Sequence, residues 1–102
     1  MTSSPKAIDM SLDEFILTSG VAGDTLLLMI EEGILNPHED PTGGWRFELQ
    51  MIFTARRAVR LHRDLEIDWH GIALALELLD ELEQLRDENR ILRQRLGRFM
   101  DS

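Results

Sequence analysis

The stretch from Ser11 to Pro37, SLDEFILTSGVAGDTLLLMIEEGILNP, decides the fold. Ser11-Leu12-Asp13-Glu14 is a capping box, in which a serine side chain and a carboxylate three residues on satisfy the amides that a helix start leaves unpaired. The helix begun there runs through Phe15, Ile16 and Leu17 and stops at Ser19-Gly20, where glycine supplies a left-handed turn. A second helix begins near Gly23-Asp24, with Asp24 as candidate N-cap, and carries Leu26, Leu27, Leu28, Met29 and Ile30 to Gly33. Asn36-Pro37 forbids its resumption, because the residue before a proline is pushed out of helical backbone. Two short helices about a tight glycine turn read as a helix-turn-helix.

Outward from this motif, Met1 to Met10 has no period and reads as a loose terminus or a short edge strand. On the other side, His38 to Phe47 (HEDPTGGWRF) puts Gly43-Gly44 at a turn and alternates Trp45 and Phe47 after it, which predicts a small hairpin or wing. A third helix follows, roughly Glu48 to Asp64, with Leu49, Ile52, Phe53 and Val59 near one face and Arg56, Arg57, Arg60 and Arg63 mostly turned to water. Asp68 caps a long fourth helix that meets no breaker before about Phe99. Its first half is apolar all round, at Ile72, Leu74, Leu76, Leu78 and Leu79, and should be packed into the core.

The second half of that helix changes period. Leu78, Leu82, Leu85, Asn89, Leu92, Leu96 and Phe99 are separated alternately by four and three residues, a heptad seam with Asn89 at an a position, and they are the candidate dimerisation residues. In a parallel pair Glu81 and Glu88 face Arg86 and Arg93 of the other chain, whereas an antiparallel pair centred near Asn89 opposes like charges. The flanks therefore lean parallel. A 102-residue chain has a modest core and benefits from self-association, so a homodimer is expected.

Apolar residues are 43% of the chain and charged ones 29%, the balance of a folded protein, and the class expected is all-α. There is no cysteine, which excludes disulfides, thiolate zinc sites and thiol nucleophiles. His38, His62 and His70 have no ligand spacing and no glycine-rich loop follows a strand, so no catalytic residue, metal site or cofactor is indicated. The N-terminus lacks the apolar run of a signal peptide and no segment has the length of a membrane span, so a cytoplasmic protein is expected. Net charge is −8 and unevenly placed: residues 1–55 hold nine acids against Lys6 and Arg46, residues 56–102 ten acids against nine arginines. An acidic first half repels phosphate backbones and favours a basic protein partner.

Ser11 to Pro37 resembles the helix-turn-helix of the MerR family, with the Thr-Ser-Gly-Val turn, the Gly-Ile-Leu exit and then Pro. More specifically, RAVRLHRDLEIDWHGIALALELLDELEQLRDENRILRQRLGRFM from Arg57 to Met100, with its DW-x-GIA and ENR-x-LRQRL segments, resembles the CbpM family of chaperone modulators. The resemblance implies a MerR-like helix-turn-helix with a small wing and a long C-terminal dimerisation helix. It divides the chain into residues 1–10, a flexible or edge N-terminus; 11–66, the helix-turn-helix domain with wing; and 67–102, the long helix. DNA-binding members pair that helix antiparallel, so its direction stays open. The function implied is to bind the J-domain of a DnaJ-like co-chaperone, CbpA, and inhibit its work with an Hsp70.

The rival is a MerR-type transcription regulator. Such proteins insert the second helix into the major groove, yet GDTLLLMIEEG has no basic residue and three acids, so nucleic acid is an unfavourable partner. Leu27 and Leu28 lie in an apolar run, where burial is the ordinary outcome. If exposed beside Asp24, Glu31 and Glu32, they would make an acid-rimmed apolar patch for a basic helix. Asp80, Glu81 and Glu83 form the second candidate cluster.

Overall fold

The computed structural model describes residues 9–101. Its elements are β1 (Asp9–Met10), α1 (Leu12–Ser19), α2 (Gly23–Glu31), β2 (His38–Glu39), β3 (Trp45–Glu48), α3 (Gln50–Leu65) and α4 (Trp69–Asp101). Residues 1–8, the greater part of the expected loose terminus, lie outside the described segment, while Asp9–Met10 is an edge strand. The three strands form one antiparallel sheet in the order β1-β3-β2, with Met10 opposite Phe47 and Glu39 opposite Trp45.

Local chemistry starts and stops these elements. In the capping box at α1, Glu14 N–H donates to Ser11 Oγ at 3.2 Å and Ser11 N–H donates to Glu14 Oε1 at 2.8 Å. The Ser11 N–H donated to it, foremost, and the nearby Ser11 hydroxyl hold the Glu14 carboxyl below its ordinary pKa. Gly20 ends α1 in left-handed backbone at φ 73°, and Gly33 does the same after α2 at φ 77°. Asp40 shapes the wing turn: its N–H donates to Gly44 O at 2.7 Å, and its carboxylate accepts from Thr42 N–H at 3.2 Å. Asp68 caps α4 by accepting from Gly71 N–H at 2.9 Å.

The core lies where the two short helices, β3 and the inner faces of α3 and α4 meet. Phe15, Leu26, Met29, Leu35, Phe47 and Ile72 are fully enclosed, and the Phe15 and Phe47 rings stack with centroids 4.5 Å apart. Arg56 of α3 ties the layers together, since its guanidinium donates to the carbonyls of Ser19 (3.3 Å) and Thr18 (3.1 Å) at the otherwise open end of α1.

Three readings of the sequence need correction. Asp24 does not cap α2; Ala22 holds the N-cap position with no side-chain hydrogen bond, and Asp24 sits in the first turn with its carboxylate outward. On α3 the inward face is Ile52, Ala55 and Ala58, and Leu49 and Phe53 look out to solvent. Small alanines let α3 approach α1 closely, which turns the larger residues away. The first half of α4 buries only one side, at Ile72 and Leu76, while Leu74 and Leu78 are exposed. One helix flank covers this small core, so the rest of the apolar girdle is left over.

Beyond about Asp80, α4 leaves the body, and residues 81–96 are exposed on every side. A helix of 33 residues is about 50 Å long. The radius of gyration is accordingly 18.2 Å, against about 13 Å for a compact chain of this size.

Candidate partner-binding surface

The helical period sets the outer face of α2. Leu26 and Met29, three residues apart, point into the core, so Asp24, Leu27, Leu28 and Glu31 fall on the opposite stripe at i, i+3, i+4 and i+7. Leu27 is 48% exposed and Leu28 41%. Both therefore meet the condition under which they would form an acid-rimmed patch. Exposed Leu17 on α1, 83% accessible, follows the Ile16 whose side chain lies against Gly23 at the start of α2. The sequence reading placed Leu17 only within the helix. Its signal was that Phe15, Ile16 and Leu17 are consecutive, and a helix cannot turn three neighbours about 100° apart to one side.

Glu32 has a different role from Glu31. It is the C-cap of α2, half-buried, and its Oε1 lies 3.0 Å from Nδ1 of His70 on α4. This hydrogen bond and the carboxylate charge raise the His70 pKa above its ordinary value, with Asp68 adding to the effect and slight desolvation opposing it. The pair clasps α2 to the start of α4.

Glu32 also lines a groove of about 300 Å³ between the end of α2, α3 and α4, together with Ile34, Arg57, Leu76, Glu77 and Asp80. Across it Arg57 Nη1 is 3.6 Å from Asp80 Oδ1, both side chains largely exposed. The groove thus brings Glu32 and Asp80 together, although they belong to separate acidic clusters in the sequence. Glu81 lies further round α4 in a shallow outer concavity with Leu74 and Leu78, and Glu83 is exposed outside both. Leu78, Leu82, Leu85, Asn89, Leu92, Leu96 and Phe99 are exposed along α4, and the apolar members continue the outward face begun by Leu74.

The histidines are placed separately: His38 pairs with Glu48 at 3.1 Å, His62 stacks on Trp69 at 4.1 Å, and His70 pairs with Glu32. Among the described residues no three His, Asp or Glu side chains converge as a metal site would require. Among the same residues no helix is long and apolar enough to cross a membrane.

The profile of the MerR HTH family regulatory proteins matches residues 10–94. A protein of Pseudomonas putida (strain GB-1) named chaperone modulatory protein CbpM is 42% identical, over 95% of this chain and 96% of its own length. Those of the same name from Pseudomonas entomophila (strain L48) and Salmonella newport (strain SL254) are each 41% identical, covering 95% and 91% of this chain and 96% and 92% of theirs. The chain belongs to the CbpM family. Its fold is the MerR-like helix-turn-helix, with a wing and a long terminal helix. In a helix-turn-helix the second helix is the element that would enter a DNA groove. In this CbpM-family chain the outer face of α2 presents two carboxylates and two leucines, with no lysine or arginine.

Proposed function

We propose that this chain is a cytoplasmic inhibitor of a J-domain co-chaperone of the CbpA (DnaJ-like) type, and that it covers the surface which the co-chaperone presents to its Hsp70. The observation that carries this reading is the exposed α2 stripe, Asp24, Leu27, Leu28 and Glu31, on the helix that a DNA reader would make basic. A basic amphipathic helix is the complement of such a stripe: leucines desolvate at the centre while cations meet the acidic rim. Glu32 and Asp80 extend the negative charge along the neighbouring groove, with Glu81 further round α4 and Glu83 further along it. The chain acts as a homodimer, paired through the α4 seam at Leu78, Leu82, Leu85, Asn89, Leu92, Leu96 and Phe99. Around three heptads are marginal alone, and exposed Leu74, next to the body, lengthens the strip that pairing covers.

Titration of the full chain with the isolated J-domain of the cognate co-chaperone, followed by calorimetry, is the test. Binding in the micromolar range or tighter, weakened by salt and by Leu27→Ala with Leu28→Ala, is expected. Absence of binding at low salt would overturn the reading. Salt-sensitive shifting of duplex DNA in a gel would instead favour the regulator.

A further inference from the structure

Helix α3 carries a second exposed apolar patch, and its charge is opposite. Ile52, Ala55 and Ala58 fill the inward side of α3, so Phe53, 67% exposed, and Leu49, 43% exposed, contribute little to the core. Leu49, Phe53, Arg57 and Arg60 follow one another at spacings of four, four and three, which makes them a single row on the outer helix surface. Arg56 beside this row is committed to the end of α1, and Arg57 faces Asp80. Arg60 has no ion-pair partner among the described residues. The acid nearest in sequence, Asp64, is next to Arg63 at 3.5 Å. The row is therefore apolar in its first half and cationic in its second.

We propose that this row docks the α2 face of a second copy of the chain. The complement it calls for is an acidic helix with adjacent apolar anchors, and α2 presents that: Leu27 and Leu28 for Phe53 and Leu49, Glu31 for Arg60 and Arg57. Within one chain the two faces cannot meet, because Leu26 and Met29 hold α2 in the core with its stripe outward. The contact is head-to-tail, since different patches meet, and it can recur on the free face of each added copy. One helix row on each side is a small interface, so association is weak and transient. With a net charge of −8, the chain is poorly suited to hold a polyanion on the same row.

The consequence rests on the co-chaperone reading of α2. Self-docking occupies the α2 face, so at high concentration the chain holds part of itself in a blocked form that a tighter-binding J-domain opens.

Sedimentation velocity of the full chain across low to high micromolar concentration reads the contact directly. Species larger than the seam dimer should grow with concentration and shrink between ~50 and ~500 mM salt, as charge attraction is screened. Phe53→Ala and Arg60→Glu, both at exposed positions and checked for unchanged circular dichroism, should each weaken the growth at least tenfold. Adding Glu31→Arg to Arg60→Glu should restore it. No growth beyond the seam dimer, growth indifferent to Phe53→Ala, or failure of the charge exchange to restore it would each overturn the proposal. So would an oligonucleotide bound through Phe53 and Arg60. Phe53→Ala should leave J-domain binding as tight as in the parent chain or tighter; a loss would place the row in the co-chaperone contact instead. If the parent chain self-associates as described but ignores the J-domain, only the co-chaperone reading fails.

Discussion

The exposed leucines of α2 and those of α4 differ in the charges around them. Leu27 and Leu28 share their stripe with Asp24 and Glu31, charges of one sign that a second identical stripe would repel. Along α4 the leucines form a row interrupted at Asn89, with both signs on its flanks, Glu81 and Glu88 against Arg86 and Arg93, so an identical copy is an acceptable partner. A one-signed face asks for something different from itself, whereas a two-signed seam can be satisfied by itself. This difference separates the surface proposed for the co-chaperone from the surface proposed for the dimer.

The largest effect should come from breaking the seam. Leu85→Asp places a carboxylate in the middle of the paired row, where burial would need it neutralised or unpaired. Dissociation should rise by roughly a hundredfold or more, at a cost of about 3 kcal/mol or more by the usual penalty for an unpartnered buried polar group. Sedimentation equilibrium would show monomers, with the body still folded because residue 85 lies beyond it. Asn89→Leu works in the other direction: it should tighten pairing while loosening the single register that a polar a position enforces. An unchanged dimer in both variants would mean that the seam does not pair.

Next in size is the one-signed face. Glu31→Arg should weaken J-domain binding about tenfold, chiefly through a slower on-rate, and should flatten its salt dependence. Glu32→Gln should cost less, because Glu32 already serves His70 rather than standing free at the rim. Surface plasmon resonance at two ionic strengths separates these cases; equal effects would make the clasp part of the contact.

How much of this was legible in the sequence follows from the range of each interaction. The capping box, the glycine stops, the wing turn and the Asp68 cap are settled within four residues, and the sequence states them outright. The heptad of α4 is equally plain, because nothing from the body interferes after Asp80. Leu27, Leu28, Leu49 and Phe53 were harder. Composition marks them as apolar, but which 100° step faces inward depends on the partner layer, and on α3 two alanines won that place from a phenylalanine. The Glu32–His70 clasp joins residues 38 apart, and the groove that unites Glu32 with Asp80 exists only once α2, α3 and α4 are assembled.

Smaller again is the loss of a single cap. Ser11→Ala removes the hydroxyl that accepts from Glu14 N–H, and should cost about 1 kcal/mol. The melting temperature would fall by several degrees in a domain of this size. With exposed Leu17 of α1 taken as part of the contact, the variant should also bind the J-domain slightly less well. A lower melting temperature with unchanged affinity would remove α1 from the contact.

The smallest expected effect is a pH dependence in the clasp that ties the end of α2 to α4. Glu32 raises the His70 pKa in the folded chain, so the folded state binds the proton more tightly than the unfolded state. The resulting stabilisation is fully present below the ordinary histidine value and is lost as the pH rises through the raised folded value. Both groups sit at the surface, so the change is modest and screened by salt. The other charged groups near the pair are Asp68, which adds to the shift, and Arg57 and Asp80 across the groove. Melting curves of the parent chain and His70→Ala, taken at steps from roughly pH 5 to 8, should differ at the acidic end and converge at the alkaline end. A constant difference would assign the clasp to packing alone. A difference that grew with pH would mean that neutral His70 is the better partner for Glu32.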